Sequence, residues 1–246
     1  MGKLEGVRVV VTRAAHQAED LAGLLEERGA EVLLFPVIAI APPADSRALE
    51  LAVEQGDQYD WIVFTSANAI HAFVGAWQPG RTSIRARIAT VGSATRAIAE
   101  RAGLQVSLTP ERYVAEALVE SFGGEELAGR RILIPSAAVT RDVVAPALRA
   151  RGAIVEVVEA YRNVIPDGAA ARAAEIFREP FPDWVAVAST SAVQNLVRLA
   201  GAHNLARVKI ASIGPVTSSA VRAYGLDVAV EAVPHTVLRL AESITN

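Results

Sequence analysis

Six short loops carry the side chains best suited to chemistry. They are Thr12-Arg13-Ala14, Thr65-Ser66-Ala67-Asn68, Gly92-Ser93-Ala94-Thr95, Pro135-Ser136-Ala137, Ser189-Thr190-Ser191 and Gly214-Pro215-Val216-Thr217. Each follows a short aliphatic run and precedes a helix-like stretch. Short hydroxyl side chains at such places cap the following helix and leave its other N–H groups open. Open N–H groups and the helix dipole favour anions. On two sheets facing one cleft, six such loops would make many carboxylate or phosphate sites. Ser and Thr are also the ordinary N-caps of any α/β protein, so plain capping stands beside the anion-cleft reading.

Stronger catalytic signatures are absent from the sequence. It has no G-x-G-x-x-G, no P-loop and no G-x-S-x-G. The four histidines, His16, His71, His203 and His235, lack metal-ligand spacing and read as surface or helix residues. There is no cysteine, which excludes disulfides, thiolate catalysis and Cys-ligated metals. Asp60 and Asp183 each precede a tryptophan and read as strand-entry residues, so no carboxylate dyad is expected.

The elements that must position these loops come in two copies. Residues 8–32 match 131–155, and 60–70 match 183–193, both at an offset of 123. Residues 88–106 match 210–228 at an offset of 122. Identities number 20 of 55 aligned positions. Chance would give roughly a tenth, so the chain is a duplication. In the first copy the pattern predicts strands at Val7–Val11, Glu31–Phe35, Trp61–Thr65 and Ile88–Val91. It predicts helices at Ala18–Arg28, Asn68–Val74 and Thr95–Ala102, with Gly29 and Gly103 as stops. The second copy repeats this at Ile132–Ile134, Val143–Ala150, Val155–Val158, Val185–Ala188, Ala192–Leu199, Ile210–Ile213 and Thr217–Tyr224. Alternating strands and helices argue for parallel sheets with right-handed crossovers. Two such sheets imply two domains, with ligands beyond the carboxyl ends of the strands.

The copies differ at Tyr161, whose counterpart is Ile38. Phe35–Pro43 and Val158–Pro166 read as paired connectors, each leaving a second strand and ending in proline. A tyrosine in one connector alone could face the cleft and donate a proton there. Packing of the ring onto the linker is the alternative.

Composition narrows the class. The 246 residues are 52% hydrophobic and 21% charged, with net charge −3 and a pI near 5.9. No run of five like charges exists, so no nucleic-acid partner is expected. The longest apolar run, Val32–Ala41, is interrupted by Pro36 and falls short of the ~18–20 residues that span a bilayer. No signal peptide is evident, and a cytoplasmic location without membrane contact is expected.

The run FTSANAI (64–70), VGSAT (91–95), IGPVT (213–217), SAAVTRDVV (136–144), Ala-Tyr-Arg-Asn (160–163) and VVVTR (9–13) together resemble the uroporphyrinogen-III synthase family. The resemblance covers nearly the whole chain in order and spacing. It implies two flavodoxin-like α/β parallel-sheet domains, discontinuous in sequence and joined by a two-stranded β linker. One would hold residues 1–36 plus 166–246, the other 41–160, with 37–40 and 161–165 as linker strands. It implies a lyase that needs no cofactor or metal and acts in porphyrin biosynthesis. Its substrate is hydroxymethylbilane, a linear tetrapyrrole closed with inversion of ring D and loss of water. By match to family positions, Tyr161 is the candidate acid, and Ser66, Thr95, Ser189, Ser191 and Thr217 lie in substrate-binding loops. Asn68, Gly92, Ser93, Ser136 and Gly214 share those loops. Arg13 and Arg141 are added as charge partners from their charge and loop position. Ala67 stands where the family often has proline. A monomer is expected, with room for a transient contact with the preceding pathway enzyme. The rival reading is a non-catalytic two-domain clamp for a small polyanion.

Overall fold

The computed structural model describes residues 3–77, 84–112, 115–139 and 143–245, with the backbone alone at His16. The described elements run in chain order as follows. The first part holds β1 (Arg8–Val11), α1 (Ala15–Glu26), β2 (Glu31–Leu34), β3 (Ala39–Ala41), α2 (Ser46–Glu54), β4 (Trp61–Phe64), α3 (Ala67–Ala76), β5 (Arg87–Thr90), α4 (Ser93–Arg101), β6 (Val106–Leu108) and α5 (Ala115–Ser121). The second holds β7 (Arg131–Ala137), α6 (Val144–Ala150), β8 (Ile154–Val164), α7 (Ala169–Ile176), β9 (Trp184–Val187), α8 (Thr190–Ala200), α9 (Ala202–Leu205), β10 (Lys209–Ser212), α10 (Pro215–Ala223), β11 (Val230–Glu231) and α11 (Val237–Thr245). No described helix is long and apolar enough to cross a membrane.

Two compact units divide the chain. Unit 1 is Met1–Ala39 with Val164–Asn246, and unit 2 is Ile40–Asn163. The sheet of unit 1 has the order β11-β10-β9-β1-β2, parallel throughout. Counted along the chain this is 2-1-3-4-5, the flavodoxin-like order. The sheet of unit 2 is β3-β8-β7-β4-β5-β6. Counted from β7, its last five strands show the same 2-1-3-4-5 order, circularly permuted. Each unit therefore joins the first two strands of one sequence copy to the last three of the other.

The exchange rests on matched contacts. Asp60 accepts the Arg131 N–H at 2.9 Å in unit 2, and Asp183 accepts the Arg8 N–H at 2.8 Å in unit 1. The backbone follows suit, with Asp60 N–H to Arg131 O at 2.9 Å and Asp183 N–H to Arg8 O at 3.0 Å. The paired tryptophans repeat as well, with Arg87 over Trp61 at 4.0 Å and Lys209 over Trp184 at 5.2 Å.

Strand alternation sorts the core into two layers in each unit. In unit 1, Val9 and Val11 pack with Leu21, Leu25 and Leu240 on one face. Val10, Val185 and Val187 pack with Val193 and Leu196 on the other. In unit 2, Ile62, Phe64 and Leu133 meet Leu49, Ile70 and Phe73, while Trp61, Val63 and Ile132 meet Leu118, Phe122 and Leu148. Gly29, at φ +93°, ends the turn after α1, where an L side chain would be strained.

The second strand and the connector of the second copy are one element. β8 runs eleven residues through Tyr161 to Val164 and carries β3 on its outer edge. The repeat also gave no hint of α2, α5, α7, α9, β11 or α11, which fall outside the matched blocks, and it reached only the first residue of β6.

Phe64 is fully buried and meets Phe73 edge-on at 5.4 Å. Phe64→Ala should cost about 3–5 kcal/mol of unfolding free energy, read from urea denaturation. Burial, reinforced by the Glu156 carboxylate at 2.7 Å, raises the Tyr59 phenol well above its ordinary value. The folded state then holds that proton when the unfolded chain releases it near pH ~10. This contribution to stability is complete below that pH and is lost as pH rises above it. Tyr59→Phe should flatten the alkaline limb of a Tm-against-pH curve.

Candidate functional site

In each doubly wound sheet the strand order reverses at one place, where the flanking loops diverge and leave a crevice. In unit 2 that place lies between β7 and β4, and in unit 1 between β1 and β9. Ser136 and Ala137 end β7, and the loops after β4, β1 and β9 contain Thr65–Ser66, Thr12–Ala14 and Ala188–Ser189.

At the unit 2 reversal, Tyr161 and Ser66 meet. Tyr161 is 8% exposed, and its ring belongs to the layer with Leu133, Phe64 and Ile70. Its Oη lies 3.1 Å from Ser66 Oγ. Ser66, with extended backbone, caps α3, its Oγ accepting the Ala69 N–H at 3.2 Å. Having accepted that bond, the serine hydroxyl keeps its own proton free to donate. The ring of Tyr161 is packed and its hydroxyl has a polar partner.

Two cavities of unit 2 touch the tyrosine. One, of about 570 Å³, is lined by Ile40, Pro42, Leu49, Asn68 and His71 together with Tyr161. The other, of about 200 Å³, brings Ser66, Ser136, Ile134 and Val144 around it. Asn68 therefore faces a cavity shared with Tyr161, and Ser136, 6% exposed, faces the second. The α2 wall of the larger cavity was missed in the sequence. Its signal was there in the Asp45 cap, which accepts the Arg47 N–H at 2.9 Å, and in Leu49, Ala52 and Val53 at helical spacing.

Capping by hydroxyls holds at two of the six loops. Ser66 and its copy Ser189 cap α3 and α8, Ser189 Oγ accepting the Ala192 N–H at 3.1 Å. Ser189 and Ser191 also sit 3.2 Å apart through their hydroxyls. The other loops correct the expectation. Thr12 Oγ1 instead donates to the Ala186 carbonyl at 2.7 Å, tying β1 to β9. Helices α1, α4, α6 and α10 start at Ala14, Gly92, Val143 and Gly214 without a side-chain cap. Ser93 is exposed and Thr95 half-buried on α4. Thr217 is 5% exposed on α10. Arg141 lies outside the described residues.

Arg13 follows β1 and is half-buried. Burial lowers its guanidinium from the ordinary value, and the charge of Asp20 opposes this.

His235, read from the sequence as a surface or helix residue, is exposed and lies against the Gly214 loop. Its Nδ1–H donates to the Ala232 carbonyl at 2.8 Å. A Cβ on Gly214 would stand 3.0 Å from the imidazole Cγ and 3.1 Å from Nδ1. Gly214 is thus fixed by close approach of a ring from the loop after β11. Spacing within either loop could not reveal that contact.

This fold and site define a class: a two-unit, flavodoxin-like α/β protein whose strand-order reversals carry neutral hydroxyls in one unit and a half-buried cation in the other. A family model for uroporphyrinogen-III synthase HemD matches residues 19–242. The chain belongs to the uroporphyrinogen-III synthase family, whose members are lyases of porphyrin biosynthesis. It is 31% identical over 226 residues to the uroporphyrinogen-III synthase of Synechococcus elongatus, covering 87% of this chain and 85% of that protein. The chloroplastic enzyme of Oryza sativa is 28% identical, over 89% of this chain and 73% of the relative. Among solved structures, a mutant Thermus thermophilus uroporphyrinogen III synthase superposes with a TM-score of 0.66 at 20% identity, covering 97% of both chains. The Helicobacter pylori enzyme gives 0.63 at 12% identity, over 96% of this chain and 97% of that one. These structures bear on the fold alone.

Gly214→Ala should cost about 1–3 kcal/mol, as overpacking does. A double-mutant cycle with His235→Ala should recover most of that loss. Equal destabilisation in both backgrounds would mean that the imidazole is not the obstacle.

Proposed function

We propose that this protein closes hydroxymethylbilane into uroporphyrinogen III, with Tyr161 as the acid that releases the leaving hydroxyl. The reading is supported most by one contact, the 3.1 Å approach of Tyr161 Oη to Ser66 Oγ beside the unit 2 reversal point. The phenol donates its proton to the ring A hydroxyl. The C–O bond breaks, water departs, and an azafulvenium cation remains. The substituted carbon of ring D attacks that cation and gives a spiro intermediate. Fragmentation and recombination leave ring D inverted. Loss of the α-carbon proton restores aromaticity and returns a proton to the tyrosine, so the net change is loss of one water.

Ser66 suits both halves of this cycle. Held by the Ala69 N–H, it can donate to the phenolate oxygen once the proton has gone. The start of α3 adds its favourable dipole at the same point. Hydroxyl and amide groups of the Thr95, Ser189, Ser191 and Thr217 loops would hold the substrate carboxylates. Most of the task is conformer selection, since the free bilane closes without inversion. We place the reaction in the cytoplasm and in a monomer; the acidic pI near 5.9 disfavours anionic surfaces such as nucleic acid or membrane.

Purified protein incubated with hydroxymethylbilane, followed by oxidation and chromatography of the isomers, tests the reaction. Isomer III is expected; isomer I alone at the blank rate would favour the non-catalytic clamp. Tyr161→Phe should lower kcat by roughly tenfold to a thousandfold, in or just below the general-acid range. An unchanged kcat would return Tyr161 to packing alone.

A further inference from the structure

Among the described residues, one buried side-chain nitrogen or oxygen lacks a hydrogen-bond partner: Arg13 Nη1. Folded proteins rarely leave such a group unsatisfied, and an exception calls for a reason. The cost is higher for a guanidinium, which stays charged whatever its surroundings. Asp20 is the acidic group that acts on it, and the two make no ion pair within 4.0 Å.

Two further observations bear on that orphan. Arg13 lies in the loop after β1, at the strand-order reversal of unit 1. Its duplicate in unit 2 is Ser136, also at a reversal point and 6% exposed. The second copy carries a neutral serine at the matched position.

We propose that Arg13 is a carboxylate-binding residue of the substrate site, whose unpaired Nη1 takes one acetate or propionate side chain of the tetrapyrrole. The proposal rests on the function proposed above and adds a specific cation to it. Arg13 would act on substrate binding, not on bond breaking. Arg13 stands where the other copy has Ser136, as Tyr161 stands where the other has Ile38. A buried cation also reconciles a polyanionic substrate with a chain of net charge −3. Its attraction acts at short range and is little screened by salt.

The test compares wild type, Arg13→Met and Arg13→Lys in three measurements. Without ligand, Arg13→Met should melt at the wild-type temperature or above it, because an unpaired buried charge is replaced by an apolar side chain. With hydroxymethylbilane, its KM should rise roughly tenfold to a hundredfold, the range for a lost hydrogen bond to a charged group. Its kcat should fall less than its KM rises, and Arg13→Lys should recover part of the binding. Uroporphyrin III, an octacarboxylate that is not turned over, should raise the Tm of wild type more than that of Arg13→Met. A lower ligand-free Tm with unchanged KM would make Arg13 a structural residue and overturn the proposal. Stabilisation of wild type by inorganic phosphate but not by uroporphyrin would also overturn it, pointing to a different anion. If wild type yields no isomer III, the proposed reaction fails, and the uroporphyrin shift still decides the role of Arg13.

Discussion

The parallel pairing of strands from different sequence copies governs everything else in this protein. β1 hydrogen-bonds to β9, and β7 to β4, so neither copy closes its own sheet. Asp60 and Asp183 mark these joints, each accepting a backbone N–H from the first strand of the other copy. The strand-order reversals fall at these same joints. In a doubly wound sheet that is also where loops part to admit a ligand. Exchange between copies and placement of the candidate sites therefore have one geometric origin.

Duplication gives two similar reversal points, and divergence makes them unlike. The unit 2 point has Ser136 and, through β8, Tyr161 with Ser66. The unit 1 point has Arg13, with Thr12 spent on the Ala186 carbonyl. Ile38, the counterpart of Tyr161, packs against the unit 1 core and carries no polar group. The duplicated units thus differ at matched places, a partnered phenol in unit 2 and an unpaired guanidinium nitrogen in unit 1.

The residues around Tyr161 also explain why its hydroxyl keeps a polar partner although its ring is buried. The ring packs among Phe64, Ile70 and Leu133, which fixes its direction. The Oη is left to Ser66, a residue that itself cannot move without losing the cap of α3. Order at the Oη comes from aromatic packing and one helix cap, both ordinary devices of an α/β fold.

Period and offset were enough to read much of this from sequence. The 122–123-residue repeat disclosed the duplication, and β-branched runs disclosed most of the repeated strands. The failed match at position 161 singled out the tyrosine, and the combined motifs pointed to the family. These features survive in one dimension because they depend on local spacing. Other features needed the third dimension. α2, with its Leu49 wall, lies outside the repeat and became visible as part of a cavity only beside Tyr161. The pressure of His235 on Gly214 joins loops about twenty residues apart. Which of six similar loops would cap a helix, and which would not, depended on backbone direction at each strand end. That Arg13 has a buried, unpaired nitrogen is a statement about every atom around it. Sequence determines which groups are available and their order along the chain; the tertiary fold decides which are desolvated and which are left without a partner, since burial and hydrogen bonding are set by neighbours distant in the chain.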